Sequence, residues 1–155
     1  MIQRIQTVFM LIATALISLM LFFSLADFNV KGMDYSLRAD SLMNMTSNQA
    51  ELVIWPLFIL LIVMLLMPFV TIFFYKKRMY QIRMLIFSSV LNVLFYGLFF
   101  YEMSVVKKMM TVNSIHYSYW ILAMPLIAVV FNIMSIRRIG QDEMLIRSLN
   151  SNRIR

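Results

Sequence analysis

Long apolar runs alternate with short polar segments along this chain. Four of the runs contain no Asp, Glu, Lys or Arg, and they cover residues 5–26, 52–75, 84–101 and 109–136. Each run is at least 18 residues long. A helix of about 20 apolar residues crosses the hydrocarbon core of a bilayer. The pattern therefore predicts four transmembrane helices.

The predicted fold is an all-α integral membrane protein, in which four transmembrane helices form an antiparallel bundle as a single domain. The predicted elements are a first span at about 6–26, an outer loop at 27–50, a second span at about 51–75, an inner turn at 76–83, a third span at about 84–104, an outer loop at 105–116, a fourth span at about 117–136 and a cytoplasmic tail at 137–155. Residues 36–45 predict a short interfacial helix. Gly140, followed by Asp142 and Glu143, predicts that the fourth helix ends and a short amphipathic tail helix begins.

Basic residues divide unequally between the two sides that these elements define. Ten of the 14 lie in the N-terminus, inner turn and tail, against four in the outer loops. Positive charge is enriched on the cytoplasmic side of membrane proteins, so both termini are expected there. The net charge of +7 then reflects topology and anionic lipid, and direct nucleic acid binding is not expected. A docking surface for a cytoplasmic partner is the alternative.

Composition removes several classes of site. With no cysteine, the chain has no disulfide, thiolate metal site or lipoprotein anchor. His116 stands alone, without a paired carboxylate. Met33, Met43 and Met45 could bind Cu(I), but adaptable packing explains methionine better. No catalytic residue, metal site, cofactor or small-molecule substrate is predicted. A signal peptide ending at Ala26 is an alternative for the first run, which is long for that purpose.

A few polar residues interrupt the predicted spans. Ser88, Asn92 and Tyr96 recur every four residues and share one face of the third helix, and Asn132 lies deep in the fourth. A polar pathway would make the protein a small transporter or channel. Interhelical hydrogen bonds are the alternative, and we favour them because no charged residue lies in the middle of a span. Asn92 in particular is expected to bond another helix.

Three segments of the sequence resemble one family. They are Met1–Val8, the inner-turn residues Arg78, Gln81, Ile82 and Arg83 with Asn92, and the tail pattern formed by Asp142-Glu143, Leu145–Ser148 and Arg153–Arg155. Over its whole length the chain resembles an uncharacterised family of small four-pass inner-membrane proteins from Gram-negative bacteria, domain of unknown function four-two-nine-three. The resemblance implies architecture and an inner-membrane location, and no activity.

The family's distinctive polar residues fall on the predicted cytoplasmic face. We predict that they form an interaction or structural network of Gln3, Arg4, Gln6, Arg78, Gln81, Arg83, Asp142, Glu143 and Arg147. Together these features favour a non-enzymatic accessory or structural subunit of a larger membrane assembly, with membrane lipids as further partners. Protein export or insertion machinery is the first expectation, and a respiratory or motility complex is the next. The alternatives are a small transporter or channel, then a membrane enzyme.

Overall fold

Four long helices dominate the fold. The computed structural model describes residues 2–30, 33–45, 49–53, 55–74, 77–109 and 114–153. Within them the helices are α1 (Ile2–Phe22), α2 (Trp55–Phe73), α3 (Arg78–Met109) and α4 (Tyr119–Arg153). All four are long and apolar enough to cross a membrane, by length and composition. The prediction of four such helices is therefore confirmed.

A small antiparallel sheet accompanies the helices, so the all-α prediction is wrong. In the described residues its strands are β1 (Ala26–Val30), β2 (Met33–Leu37), β3 (Ser41–Asn44), β4 (Gln49–Val53) and β5 (Ser114–Tyr117). Their spatial order is β4-β3-β2-β1-β5. The short helix predicted at 36–45 is also wrong, because these residues finish β2, turn, and form β3. The sheet joins the segment after α1 to the segment before α4.

Polar and apolar residues alternate along β1 and β2. In β1, Ala26 and Phe28 are buried, whereas Asp27 and Asn29 are only half-buried. Successive strand side chains point to opposite faces, and residues paired across an antiparallel ladder share a face. The apolar face packs against the end of the helical bundle, where Phe99 belongs to the same buried cluster. We call this end of the bundle the sheet end.

The helices pack through stripes of buried residues spaced three or four apart. The stripes are Gln6, Met10, Ala13, Ile17 and Met20 on α1, Leu57, Leu61, Met64, Pro68 and Thr71 on α2, Gln81, Leu85, Ser88, Asn92, Phe95, Phe99, Met103 and Val106 on α3, and Pro125, Ala128, Asn132, Ser135 and Ile139 on α4. This spacing keeps one seam of each helix facing its neighbours. Contacts join α1 to α2, α2 to α3, α3 to α4 and α4 to α1. The four helices therefore form a closed ring.

Helix α4 continues without a break through Gly140 and Asp142, so the separate tail helix predicted from the sequence is wrong. Tertiary contacts explain the continuity. Ile139 is buried in one cluster with Met10 and Leu85, and this packing overrides the weak helix preference of glycine. With 35 residues, α4 is the longest helix in the described part of the chain. At about 1.5 Å per residue it measures about 50 Å, against a hydrocarbon core of about 30 Å.

Candidate functional site

Two polar regions hold the residues that the sequence predicted as important. The first is the polar core, formed by Ser88, Asn92 and Asn132 in the middle of the bundle. The second is the basic end, opposite the sheet, where α1 and α3 begin and α2 ends. It takes its name from basic residues such as Lys77 and Arg78.

The polar core joins α3 to α4. The amide nitrogen Nδ2 of Asn132 donates to Oγ of Ser88 at 3.2 Å, and both residues are fully buried. Asn92 is also buried, but its Nδ2 donates to the Ser88 carbonyl of its own helix at 2.7 Å. Asn132 thus makes the interhelical hydrogen bond that the sequence led us to expect from Asn92. Among the described residues, the side-chain oxygens of Asn92 and Asn132 accept no hydrogen bond.

A second contact between α3 and α4 lies nearer the sheet end. The hydroxyl of Tyr96 donates to the carbonyl of Leu122. Pro125 supplies no N–H to the helix, and the carbonyl that it leaves without a helical donor is that of Ile121, one residue before Leu122. The tyrosine thus bonds the backbone of α4 next to the carbonyl that the proline frees. Four intramembrane polar residues were predicted from the sequence. Three of them, Ser88, Tyr96 and Asn132, thus take part in hydrogen bonds between α3 and α4.

Glutamine side chains tie the helices together at the basic end. Nε2 of Gln6 in α1 donates to Oδ2 of Asp142 in α4 at 2.6 Å. Nε2 of Gln81 in α3 donates to the carbonyl of Thr71 in α2 at 3.1 Å. Both glutamines are buried. These hydrogen bonds link the end of α1 to α4 and the end of α3 to α2. Gln6, Gln81 and Asp142 all belong to the network predicted from the sequence.

A pocket of 440 Å³ opens beside these contacts. It is lined by Lys77, Arg78, Met79, Tyr80 and Glu143, so it lies between the start of α3 and the late part of α4. The Lys77 ammonium lies 5.4 Å from the centre of the Tyr80 ring, a cation–π distance. Nη1 of Arg78 is buried and has no hydrogen-bond partner in the described part of the chain. Two basic side chains, Lys77 and Arg78, thus line one pocket, which we call the basic pocket.

The remaining members of the predicted network are Gln3, Arg4, Arg83 and Arg147. Arg83 lies on the exposed side of α3. Gln3 and Arg4 belong to α1 and Arg147 belongs to α4, and the side chains of these three lie outside the described part of the structure. The structure thus brings Gln6 next to Asp142 and Arg78 next to Glu143, and their role in binding a partner stays a prediction.

Sequence reasoning missed a further polar region, on the sheet. A pocket of 400 Å³ is lined there by Asp27, Phe28, Asn29, Asp34, Tyr35, Met45 and His116. Nδ2 of Asn29 donates to Oδ1 of Asp34 at 2.8 Å. Asp27 lies opposite His116 in the backbone ladder between β1 and β5. The alternating pattern around Asp27 was the signal that could have revealed it. The described residues contain no group of three or more His, Asp or Glu placed to hold a metal ion.

The class of protein is set by these features: a ring of four helices apolar enough to cross a membrane, tied by polar contacts and capped by a small sheet. The chain belongs to the family described as a domain of unknown function (DUF4293), whose family model matches residues 2–154. The resemblance seen in the sequence is therefore confirmed. Comparison with the curated proteins finds no match.

Proposed function

We propose that this chain is a four-pass protein of the bacterial inner membrane and a non-enzymatic accessory subunit of a larger complex. Both termini, and with them the basic end, lie in the cytoplasm. The unequal distribution of the 14 basic residues supports this orientation. The closed ring of helices supports a structural role, because the polar residues of α3 are engaged in helix contacts.

The far end of α4 is the observation that carries the subunit proposal. Met144, Leu145 and Ile146 expose 67%, 57% and 42% of their surface. They follow Asp142, which contacts α1 only one turn from the beginning of that helix. Little of the bundle is therefore left to cover them. Contiguous apolar surface outside a bilayer marks a protein interaction site, so this projecting helix is the proposed contact with a partner.

The subunit proposal is tested by a photo-crosslinking residue at Ser148, which is exposed one turn beyond Met144. We expect a discrete protein adduct in the native membrane that is lost in the variant Met144→Glu. The same probe at Leu126, exposed on the apolar part of α4, should give lipid adducts only. A chain that gives no protein adduct at Ser148, and that purifies alone in gentle detergent, would contradict the proposal. Export or insertion machinery as the partner stays a prediction.

The orientation in the membrane can be tested with single introduced cysteines, because the chain has no cysteine of its own. In intact spheroplasts, a membrane-impermeant maleimide should label Asp40→Cys, and should label Ser148→Cys only after permeabilisation. Both positions are exposed, whereas the neighbouring Ser41 is buried and would report poorly. The unmodified chain serves as the blank. If only Ser148→Cys were labelled in intact spheroplasts, the proposed orientation would be reversed.

A further inference from the structure

An apolar groove runs along the outer seam between α3 and α4. Its volume is 530 Å³, and its lining includes Ile86, Val90 and Val93 from α3 and Val129, Ile133 and Ile136 from α4. Ser89 also lines it, but its hydroxyl donates to the Leu85 carbonyl of its own helix. The surface of the groove is therefore almost purely apolar. In the proposed membrane-spanning bundle, this side faces lipid.

The basic pocket lies on the same seam as this groove. The contact of Ser88 with Asn132 sets the register of the two antiparallel helices. Arg78 is about three helical turns from the groove residue Ser89, and Glu143 is about two turns from Ile136, so each shares a face with its groove residue. At about 1.5 Å per residue, about 10 Å separate Ile136 from Glu143. The groove and the pocket thus lie in line along one seam.

Gly140 leaves open space on the stretch of α4 between the groove and the pocket. It lies between Ile136 and Glu143 along α4, one turn from each, and no atom lies within 4 Å of the position that a Cβ would take. A larger side chain there would stand in the seam. The glycine that looked like a helix end in the sequence thus leaves room for part of a bound lipid between the groove and the pocket.

We propose that this seam binds one anionic glycerophospholipid, with an acyl chain in the groove and the phosphate in the basic pocket. The proposal rests on the membrane-spanning function proposed above. Arg78 and Lys77, which both line the basic pocket, supply the charge that a phosphate requires. Basic pockets between membrane helices at the cytoplasmic side are suited to phospholipid headgroups. Phosphatidylglycerol, a glycerophospholipid with a net negative charge, is the ligand used in the test.

The test uses the full chain, extracted from membranes and placed in nanodiscs or mild detergent with defined lipids. Native mass spectrometry should show one retained phosphatidylglycerol, in preference to phosphatidylcholine. The variant Arg78→Gln should lose about tenfold in affinity, since a guanidinium contact to phosphate is charge-assisted and forked. Arg138→Gln is the matched control, because Arg138 is an exposed arginine of α4 that does not line the pocket.

A second variant tests the seam without changing any charge. Gly140→Leu should weaken binding as much as Arg78→Gln, and thermal unfolding in the same detergent shows whether each variant is folded. If Gly140→Leu is unfolded, Arg78→Lys takes its place, because it keeps the charge and loses the fork. Glycerol phosphate without acyl chains should not compete at millimolar concentration.

Four outcomes would overturn the lipid site. They are equal losses in Arg78→Gln and Arg138→Gln, unchanged binding in a folded Gly140→Leu or in the Arg78→Lys variant that replaces it, competition by glycerol phosphate, and a second copy of the chain in place of the lipid. None of these outcomes contradicts the proposal that the chain spans the membrane. That proposal is contradicted by a different result, the absence of the chain from the membrane fraction with which the lipid experiment begins.

Discussion

Replacing Phe99 with alanine is expected to destabilise the fold by about 3–5 kcal/mol, the usual range for removing a buried phenylalanine. Phe99 is fully buried where the helices meet the sheet. Its ring centre lies 6.0 Å from that of Phe95 and 6.5 Å from that of Tyr117 in β5. The alanine variant leaves a cavity in the contact between bundle and sheet. At about 2–4 °C per kcal/mol, the unfolding temperature in detergent should fall by on the order of 10 °C.

The neighbouring Phe100 provides a matched control. It has the same side chain on the same helix, but 60% of its surface is exposed. Phe100→Ala should therefore change the unfolding temperature far less, because few protein contacts are lost. Equal shifts for the two variants would contradict the placement of Phe99 between bundle and sheet.

Replacing Ser88 with valine is expected to destabilise the fold by about 1–3 kcal/mol. The hydroxyl of Ser88 is the acceptor for Nδ2 of Asn132, and both residues are fully buried. Valine has nearly the shape of serine plus a methyl group, but it leaves the asparagine with an unsatisfied donor. A buried polar group without its partner costs its full desolvation. Chemical or thermal unfolding in detergent measures the loss.

Two further variants identify the cause of that loss. Ser89→Val changes a serine that bonds only within its own helix, at 2.9 Å to the Leu85 carbonyl, and should stay within about 0.5 kcal/mol. The double variant Ser88→Val with Asn132→Leu should be more stable than Ser88→Val alone, because no donor is orphaned. Strictly additive effects would show that the Ser88–Asn132 contact does not couple the two helices.

The four helices could be predicted from sequence because their apolar runs are long and free of charge. The packing inside the ring could not. In a soluble bundle, polar outward faces reveal which side of a helix is buried, but here exposed residues such as Val93 and Leu126 are as apolar as the buried Ile17. The spacing of Ser88 and Asn92 did place one buried face correctly, because polar residues are rare in such a helix.

The sheet was missed because its residues gave two competing signals. Leu42, Met43 and Met45 suggested an amphipathic helix, although the alternation of Asp27 with Phe28 is typical of a strand. Residues 36–45 are strands because β3 pairs with both β2 and β4. The pairing of β1 with β5 could not be predicted, because it joins residues distant in sequence. The basic pocket was hidden for the same reason. Arg78 and Glu143 come together only through the register of α3 with α4.

Helix α4 shows how local signals lose to tertiary contacts. Gly140 and the acidic pair after it resemble the end of one helix and the start of another. A glycine inside a helix costs only about 1 kcal/mol relative to alanine. The buried Ile139 and the hydrogen bond from Gln6 to Asp142 oppose that small cost. Neither contact is visible without knowing which helices are neighbours.

The strand order also determines when the sheet can be completed during synthesis of the chain. β2, β3 and β4 follow β1 directly along the chain, so one edge of β1 is covered as soon as they are made. The other edge pairs with β5, which is synthesised only after α2 and α3. At roughly 5–20 residues per second, that edge stays open for several seconds, and an open strand edge invites wrong pairing. Substitutions that weaken β5 therefore prolong a vulnerable stage of biosynthesis as well as loosening the finished sheet.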